Sequence, residues 1–185
     1  MTRPRGRPAK GGGVTRQEIL TTALILLDEG GGQGLTMRAL ASRLDVTPMS
    51  LYHHVQDRSG LLLALSDRIY SEVLEGIDNL ADQREEVRAL LMRYHAAVGL
   101  HPQLTLAIFS EPQAFSGVTS KITDWLTLML QTFTREPVLW RNVLIDHLHG
   151  SGLALIAAKG DQHKTEAMQE QYRCSLDCLL ELLVV

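Results

Sequence analysis

The sequence has few of the features that mark secreted, membrane or metal-binding proteins. Only two of its 185 residues are cysteine, and it contains no run of about 18 consecutive apolar residues, the length that would suggest a transmembrane helix. The first ten residues carry charge, but no apolar stretch follows that would form a signal peptide. We therefore expect a cytoplasmic protein with no membrane-spanning helix, no cofactor and no metal site.

The two cysteines, Cys174 and Cys178, lie four residues apart in a leucine-rich stretch, so on a helix they share one face. A disulfide within one helix is poorly compatible with this spacing. A zinc site would need more ligands nearby than His163 alone. We therefore expect both thiols to be buried as small apolar groups.

Strand-like alternation, internal repeats and a glycine-rich phosphate loop are also missing from the sequence. Apolar residues instead recur every three or four positions, which predicts an all-α protein. With 45% hydrophobic residues the chain can bury a substantial core. Beyond the N-terminal part we expect helices at about 57–79, 82–100, 112 or 115–133, 137–158 and 164–185, with only a turn at 101–109.

The net charge of −3 conceals an uneven distribution. Residues 1–58 carry eight Lys and Arg against five Asp and Glu, which gives +3, whereas residues 59–185 carry ten against sixteen, which gives −6. Phosphate neutralisation is local, so an acidic total does not prevent DNA binding by a basic end. The N-terminal part is therefore the candidate for nucleic-acid binding.

Residues 1–13 predict a flexible basic arm, because they hold four basic residues, two prolines and four glycines but no acidic residue. Within the arm, Pro4 to Pro8 resembles the core of an AT-hook, in which an extended Arg-Gly-Arg lies in the minor groove of A·T-rich DNA. Arg5 and Arg7 would then meet the negative potential of the groove. Nonspecific attraction of the arm to phosphates is the alternative interpretation.

Residues 14–58 predict a helix-turn-helix domain of three short helices. The first helix begins at a capping box, Thr15 to Glu18, and ends near residue 29. Thr36 and Thr47 cap the second and third helices, which a tight turn separates. This arrangement is typical of proteins that lay the last helix in the DNA major groove, although an ordinary helical hairpin has the same pattern.

The third helix of this domain has two different faces. Leu51 and Val55 share one face, and a count of 100° per residue places Met49 and His53 on the opposite face. The outer face is therefore large, uncharged and able to contact base edges. We expect the helix that starts near residue 57 to run into the C-terminal part and to link the two parts mechanically.

The stretch GLTMRALASRLDVTPMSLYHHVQDRSGLLLAL, preceded by a capped helix that ends in glycines, resembles the DNA-binding domain of the tetracycline-repressor family of bacterial transcriptional regulators. The resemblance covers residues 15–68. It implies an all-α homodimer whose C-terminal domain, residues 59–185, binds a small molecule that releases the DNA. It also implies DNA contacts, on an operator with two half-sites, from Thr36, Arg38, Thr47, Pro48, Met49, Ser50, Tyr52, His53 and Arg58.

The C-terminal domain offers candidate surfaces for a second copy and for an effector. Small residues at 150–158 permit close helix approach, and the apolar run at 176–184 exceeds what one packed face needs. By resemblance, the last two helices form the dimer interface. Residues suited to a pocket between helices, or simply to core packing, are Tyr94, His95, Phe109, Phe115, Trp125, Met129, Trp140 and His147.

These features predict a non-enzymatic, small-molecule-responsive repressor. Two alternatives stay open. The first is an activator or architectural DNA-binding protein that needs no effector. The second is a helical enzyme or carrier with an incidental helix-turn-helix, for which the sequence offers no spacing of nucleophile and base.

Overall fold

The computed structural model describes residues 13–75, 82–158 and 160–183, so Arg5 and Arg7 lie outside the described residues. The described residues form an all-α protein and contain no strand, as predicted. Single turns of 3-10 helix occur at Ser71–Leu74, Pro112–Phe115 and Leu155–Ala158. The α-helices are α1 (Arg16–Gly34), α2 (Met37–Arg43), α3 (Pro48–Val55), α4 (Arg58–Tyr70), α5 (Gln83–Leu100), α6 (Pro102–Phe109), α7 (Val118–Leu130), α8 (Pro137–Ala154) and α9 (Gln162–Glu181).

Local hydrogen bonds fix the start of each of the first three helices. Thr15 N donates to Glu18 Oε2 over 2.8 Å and Glu18 N donates to Thr15 Oγ1 over 3.2 Å, which is the predicted capping box. The hydroxyls of Thr36 and Thr47 each accept a hydrogen bond from the backbone N–H of the third residue in the following helix. These bonds satisfy donors that a helix start leaves free. The predicted starts of all three helices are confirmed.

The end of α1 differs from the prediction, because the helix continues past residue 29 to Gly34. Gly31 has a φ of +61°, which kinks the last turn before the chain enters α2. Glycine adopts this conformation without the steric cost that a side chain would add. The N–H of Leu35 then closes the end by donating to Gly31 O.

α4 connects the two parts of the molecule. We call residues 14–58 the head, and these residues carry α1 to α3. We call the residues from 59 onwards the body, and these carry the rest of α4 and α5 to α9. Leu61, Leu62 and Leu65 are fully buried, and α4 packs against α1 and α3 of the head and against α6 and α7 of the body. The predicted helix extends to residue 79, but α4 ends at Tyr70 and one 3-10 turn follows.

Residues 101–117 depart most from the sequence-based expectation. The predicted turn at 101–109 is the helix α6, with a proline at its first position, where the missing N–H costs nothing. The helix expected from residue 112 or 115 begins only at Val118. Its start depends on Gly117, with a φ of +81°, and on Asp67, whose Oδ1 accepts a hydrogen bond from Val118 N over 2.9 Å. Asp67 lies 51 positions earlier, so local periodicity does not reveal this start.

The body is built on α5 and α8, which pack against each other and are both contacted by α9. Arg84, near the start of α5, donates to the carbonyls of Leu180 and Leu183 over 2.6 and 3.2 Å and so fixes the end of α9. Tyr172 of α9 is buried and donates to the carbonyl of Leu91 over 3.3 Å. These contacts tie the last helix of the chain to the first helix of the body.

Candidate functional site

The exposed face of α3 is the first candidate site. Met49 is 66% exposed, and Tyr52 and His53 are exposed as well, whereas Leu51 and Val55 are buried in the head. The count of 100° per residue predicts this division of faces. A short helix that is anchored on one side and presents large uncharged groups on the other can read the edges of bases in a groove.

Other residues predicted to contact DNA surround the starts of α2 and α3. Thr36, Thr47 and Pro48 are exposed, and Ser50 is half-buried. The hydroxyls of Thr47 and Ser50 are 3.0 Å apart and share a hydrogen bond. A hydroxyl has one donor and two acceptor positions, so these groups keep hydrogen-bonding capacity for a phosphate.

Two arginines of the head and one of α4 beside it differ in whether their guanidinium groups have partners in the protein. Arg38 is exposed and makes no hydrogen bond or ion pair with the residues that the structure describes. Arg43 pairs with Glu29 over 2.9 Å, on the head itself. Arg68 donates to Thr21 Oγ1 over 2.9 Å. Of these three cations, Arg38 is therefore the one whose charge is available to a phosphate.

Arg58 has partners other than the phosphate that the sequence suggests. Its Nη1 donates to Glu111 Oε2 over 2.9 Å, and its Nη2 donates to Gly32 O over 3.0 Å. The side chain is half-buried between the end of α1 and the segment that follows α6. The sequence could not show this arrangement, because Glu111 lies 53 positions away.

Four side chains of the body form what we call the aromatic patch: Tyr94, Phe109, Phe115 and His149. The rings of Phe109 and Phe115 are nearly parallel, with centroids 5.8 Å apart, and are 42% and 43% exposed. The ring of His149 meets Phe109 edge-on at 5.0 Å, and its Nε2 lies 3.2 Å from the buried Tyr94 hydroxyl. Two exposed rings above a polar pair can hold a planar apolar molecule.

A second cluster involves two of the predicted pocket residues, His95 and His147. The ring of His95 stacks on Tyr172 with centroids 3.7 Å apart, and its Nε2 lies 3.2 Å from Ser151 Oγ. His147 Nε2 lies 2.8 Å from Ser175 Oγ. Burial and, to a smaller extent, the nearby His147 together lower the pKa of His95 to about 4. Burial also lowers the pKa of His149 to about 4.

The other three predicted pocket residues, Trp125, Met129 and Trp140, are half-buried and pack against the core. They share no ring contact with the two clusters described above. The eight residues predicted for one pocket are thus divided among the aromatic patch, the His95 cluster and core packing. Helical periodicity shows which residues point inwards but not which inward residues meet.

Two grooves of about 660 and 620 Å³ flank the C-terminal end of α5, and sequence reasoning missed both. Ala96 and Leu100 line both grooves, Arg93 lines the first and Gln169 the second. These volumes are typical of small-molecule sites. None of the eight predicted pocket residues lines either groove, because the prediction favoured aromatic side chains and the walls are aliphatic and charged.

Comparison with known proteins identifies the head. The profile of bacterial regulatory proteins of the tetR family matches residues 19–65, which span most of the head and the start of α4. An HTH-type transcriptional regulator of Saccharopolyspora erythraea is 29% identical over 101 residues, which cover 55% of this chain and 43% of the relative. BioQ of Mycobacterium smegmatis shares the fold over 92% of this chain and 98% of its own, with a TM-score of 0.75 and 25% identity. The head is a DNA-binding domain of the tetR family.

Solved structures of similar proteins extend the likeness in fold to the body. BioQ with its natural double-stranded DNA operator matches with a TM-score of 0.69 and 24% identity, over 93% of this chain and 99% of that chain. A TetR variant of Acinetobacter baumannii AYE in complex with minocycline matches with a TM-score of 0.70 and 23% identity, over 91% and 95%. At these identities the likeness shows the fold. The match to the curated relative spans less than half of that protein.

One row of side chains on α8 and one on α9 have no cover from the described residues. Leu139 and Val143 of α8 are exposed, and so are Cys174, Cys178 and Leu182 along α9. The expectation that both thiols are buried is therefore wrong for the single chain, because the face they share points away from α5 and α8. Exposed apolar groups in a row are typical of a protein interface.

The described residues form neither a cluster of metal ligands nor a helix that could cross a membrane. Within residues 13–75, 82–158 and 160–183, no group of three or more His, Cys, Asp or Glu side chains could hold a metal ion. Over the same ranges, no helix has the length and apolar character needed to cross a membrane.

The lowered pKa of His95 predicts a loss of stability in acid. Above about pH 6.5 the imidazole is neutral in both the folded and the unfolded chain, so stability is fully present. As the pH falls towards 4, only the unfolded chain takes up the proton, and the free energy of unfolding decreases. Between pH 6.5 and 4.5 the wild type should lose roughly 2 kcal/mol more than His95→Gln. Urea unfolding at a fixed protein concentration measures this difference.

The exposed His163, at the start of α9, provides the matched control. His163→Gln should lose stability with pH as steeply as the wild type. An equally steep loss in His95→Gln would show that His95 does not couple folding to pH.

Proposed function

We propose that the protein is a homodimeric transcriptional repressor that binds a double-stranded DNA operator and leaves it when a small molecule binds the body. The observation that carries the proposal is the outer face of α3, where Met49, Tyr52 and His53 are exposed on a helix anchored by Leu51 and Val55. The match of the head to the tetR family supports it, as does the common fold with BioQ, which has been solved on its operator.

In this proposal residues 1–13 are a basic arm, residues 14–58 bind DNA, and residues 59–185 bind the effector and the second copy. Met49 and His53 meet base edges, with Met49 against a thymine methyl group. Arg5 and Arg7 enter the minor groove beside the site. The groove is also faced by Thr47, Pro48 and Ser50. The contacts to the DNA backbone or to a flanking base come from Thr36 and Arg38, and Tyr52 reaches a phosphate.

Two substitutions separate base reading from phosphate binding. Arg38→Ala should weaken binding to all sequences alike and reduce the salt slope of binding by about 0.9, one phosphate's share. His53→Ala should instead relax the preference at one base position, with a change of roughly 1–3 kcal/mol between bases there. Titration of the promoter region beside the protein's own gene, in rising salt and with single-base variants, measures both effects.

Arg135, an exposed arginine of the body, provides the charge control, because Arg135→Ala removes the same charge far from α3. It should leave the salt slope unchanged. Absence of binding to this promoter region and to every sequence selected from random DNA would contradict the proposed function. A uniform loss across all sequences for His53→Ala would remove His53 from the base readers.

The effector binds, in this proposal, at the aromatic patch. The exposed rings of Phe109 and Phe115 provide a stacking surface, and the His149 and Tyr94 pair beneath them provides a hydrogen bond. The fold is shared with a TetR variant solved with minocycline, which supports a ligand in the body. Because burial keeps His149 neutral at pH 7, the site favours an uncharged aromatic group.

A panel of planar aromatic compounds tests this placement through the fluorescence of the chain's two tryptophans. Phe109→Ala should weaken binding of any compound found by about ten-fold, because one stacking partner is lost. Leu128→Ala, which removes an exposed apolar side chain of α7, should leave the affinity unchanged. Equal affinities for both variants would place the ligand elsewhere.

The exposed face of α8 and α9 holds the second copy in this proposal. Val143→Glu should convert the dimer to monomers, because the interface would have to bury a charge without a partner. The same variant should bind a two-half-site operator far more weakly, since two heads no longer act together. Ile25→Glu, on an exposed position of α1, should stay dimeric. Sedimentation velocity distinguishes the outcomes, and a wild type that is monomeric at micromolar concentration would contradict the dimer.

A further inference from the structure

The side chain of Arg58 joins three segments of the chain at the boundary between head and body. Its Nη2 and Nε donate to the carbonyls of Gly32 and Leu35, over 3.0 and 3.4 Å, at the end of α1. Its Nη1 donates to Glu111 Oε2 over 2.9 Å. Arg58 itself is the first residue of α4. One guanidinium therefore holds the end of α1, the start of α4 and the segment that follows α6 in a fixed relation.

Glu111 uses its second oxygen on the same helix start. Ser59 Oγ donates to Glu111 Oε1 over 3.0 Å, so the carboxylate is bonded to two consecutive residues of α4. The side chains of Arg58 and Glu111 are 34% and 31% exposed, so water only partly screens the pair. The directed hydrogen bonds of a guanidinium and a carboxylate add a geometric constraint that a lone charge pair lacks.

A second contact holds the segment that begins with Glu111. Asp67, in the later part of α4, accepts a hydrogen bond from Val118 N over 2.9 Å. The connection from Glu111 to Val118 is thus bonded to α4 at both ends. This connection carries Phe115, which stacks on Phe109 in the aromatic patch. The aromatic patch is therefore connected to α4 through the segment that begins with Glu111.

The end of α1 is irregular. Gly31 has a φ of +61° and interrupts the helix, and beyond this kink the last turn is closed by the hydrogen bond from Leu35 N to Gly31 O. Arg58 supplies two donors to the carbonyls of this short stretch. The bonds to Gly32, Leu35 and Glu111 use three of the five N–H groups of the guanidinium and direct it towards the protein.

We propose that Arg58 and Glu111 are positioning residues, which act together to set the angle of the head on the body that DNA binding requires. Arg58 acts through Gly32, Leu35 and Glu111 and does not contact phosphate. The inference rests on the proposed function, because its main measurement is operator affinity. Loss of the pair lets the head sample other angles, and the apparent affinity falls in proportion to the fraction of molecules that keep the competent one.

The test compares Arg58→Met, Glu111→Gln and the double variant with the wild type by operator titration at several salt concentrations. Each single variant should weaken binding by the same factor, roughly five-fold or more. The double variant should be no weaker than either single variant, because both residues belong to one contact. The salt slope should stay at the wild-type value, since no phosphate contact is removed.

Two additional variants provide the controls. Arg58→Lys keeps the charge but cannot reach three acceptors at once, so it should bind as weakly as Arg58→Met. Glu29→Gln breaks the Arg43 and Glu29 pair, which lies within the head, and should bind as the wild type does. Rescue by Arg58→Lys, a salt slope reduced by about one in Arg58→Met, or tighter binding by Glu111→Gln would each show a phosphate contact and overturn the proposal.

A measurement without DNA separates this inference from the proposed function. Hydrogen exchange of the backbone amides at residues 30–35 should become faster in Arg58→Met and in Glu111→Gln, but not in Glu29→Gln. If the wild type binds no DNA, the proposed function fails while this measurement still tests the contact. Unchanged exchange in both variants would show that the pair does not hold the end of α1, and would overturn the inference.

Discussion

The helix α4 is buried between the head and the body, and the rest of the structure depends on this burial. Leu61, Leu62 and Leu65 lie in one core that is shared by the head and the body. Each such side chain contributes roughly 2 kcal/mol when it leaves water, so neither part can separate from α4 without a large loss. The head therefore stays attached to α4. Its position follows from the angle of α4 and from the polar contacts at the start of that helix.

Several buried polar side chains of the body make hydrogen bonds between helices. The Tyr70 hydroxyl shares a buried hydrogen bond with Thr105 over 2.8 Å, and burial raises its pKa to about 12. His95 and Tyr172 stack, and both rings have polar partners. Because an unpaired buried polar group is costly, these bonds specify how α4, α5, α6, α8 and α9 pack. The neutral state of the histidines is a consequence of that packing.

The surface divides into faces of different chemistry. The outer face of α3 presents aromatic and polar groups and one methionine, which suits a groove lined by base edges. The exposed face of α8 and α9 presents aliphatic side chains and the thiols of Cys174 and Cys178, which suits close helix packing. The aromatic patch lies on neither of these faces. It is joined to α4 through the segment that carries Phe115 and Glu111.

The sequence alone determined the all-α class, the starts of α1 to α3 and the two faces of α3. These features depend on hydrogen bonds and periodicities within a few residues, as at Thr36 and Thr47. Only the tertiary structure decided the partners of Arg58, the start of α7 and the division of the predicted pocket residues. Each depends on groups far apart in the chain, such as Glu111 and Asp67, and local patterns carry no information about which distant residues meet.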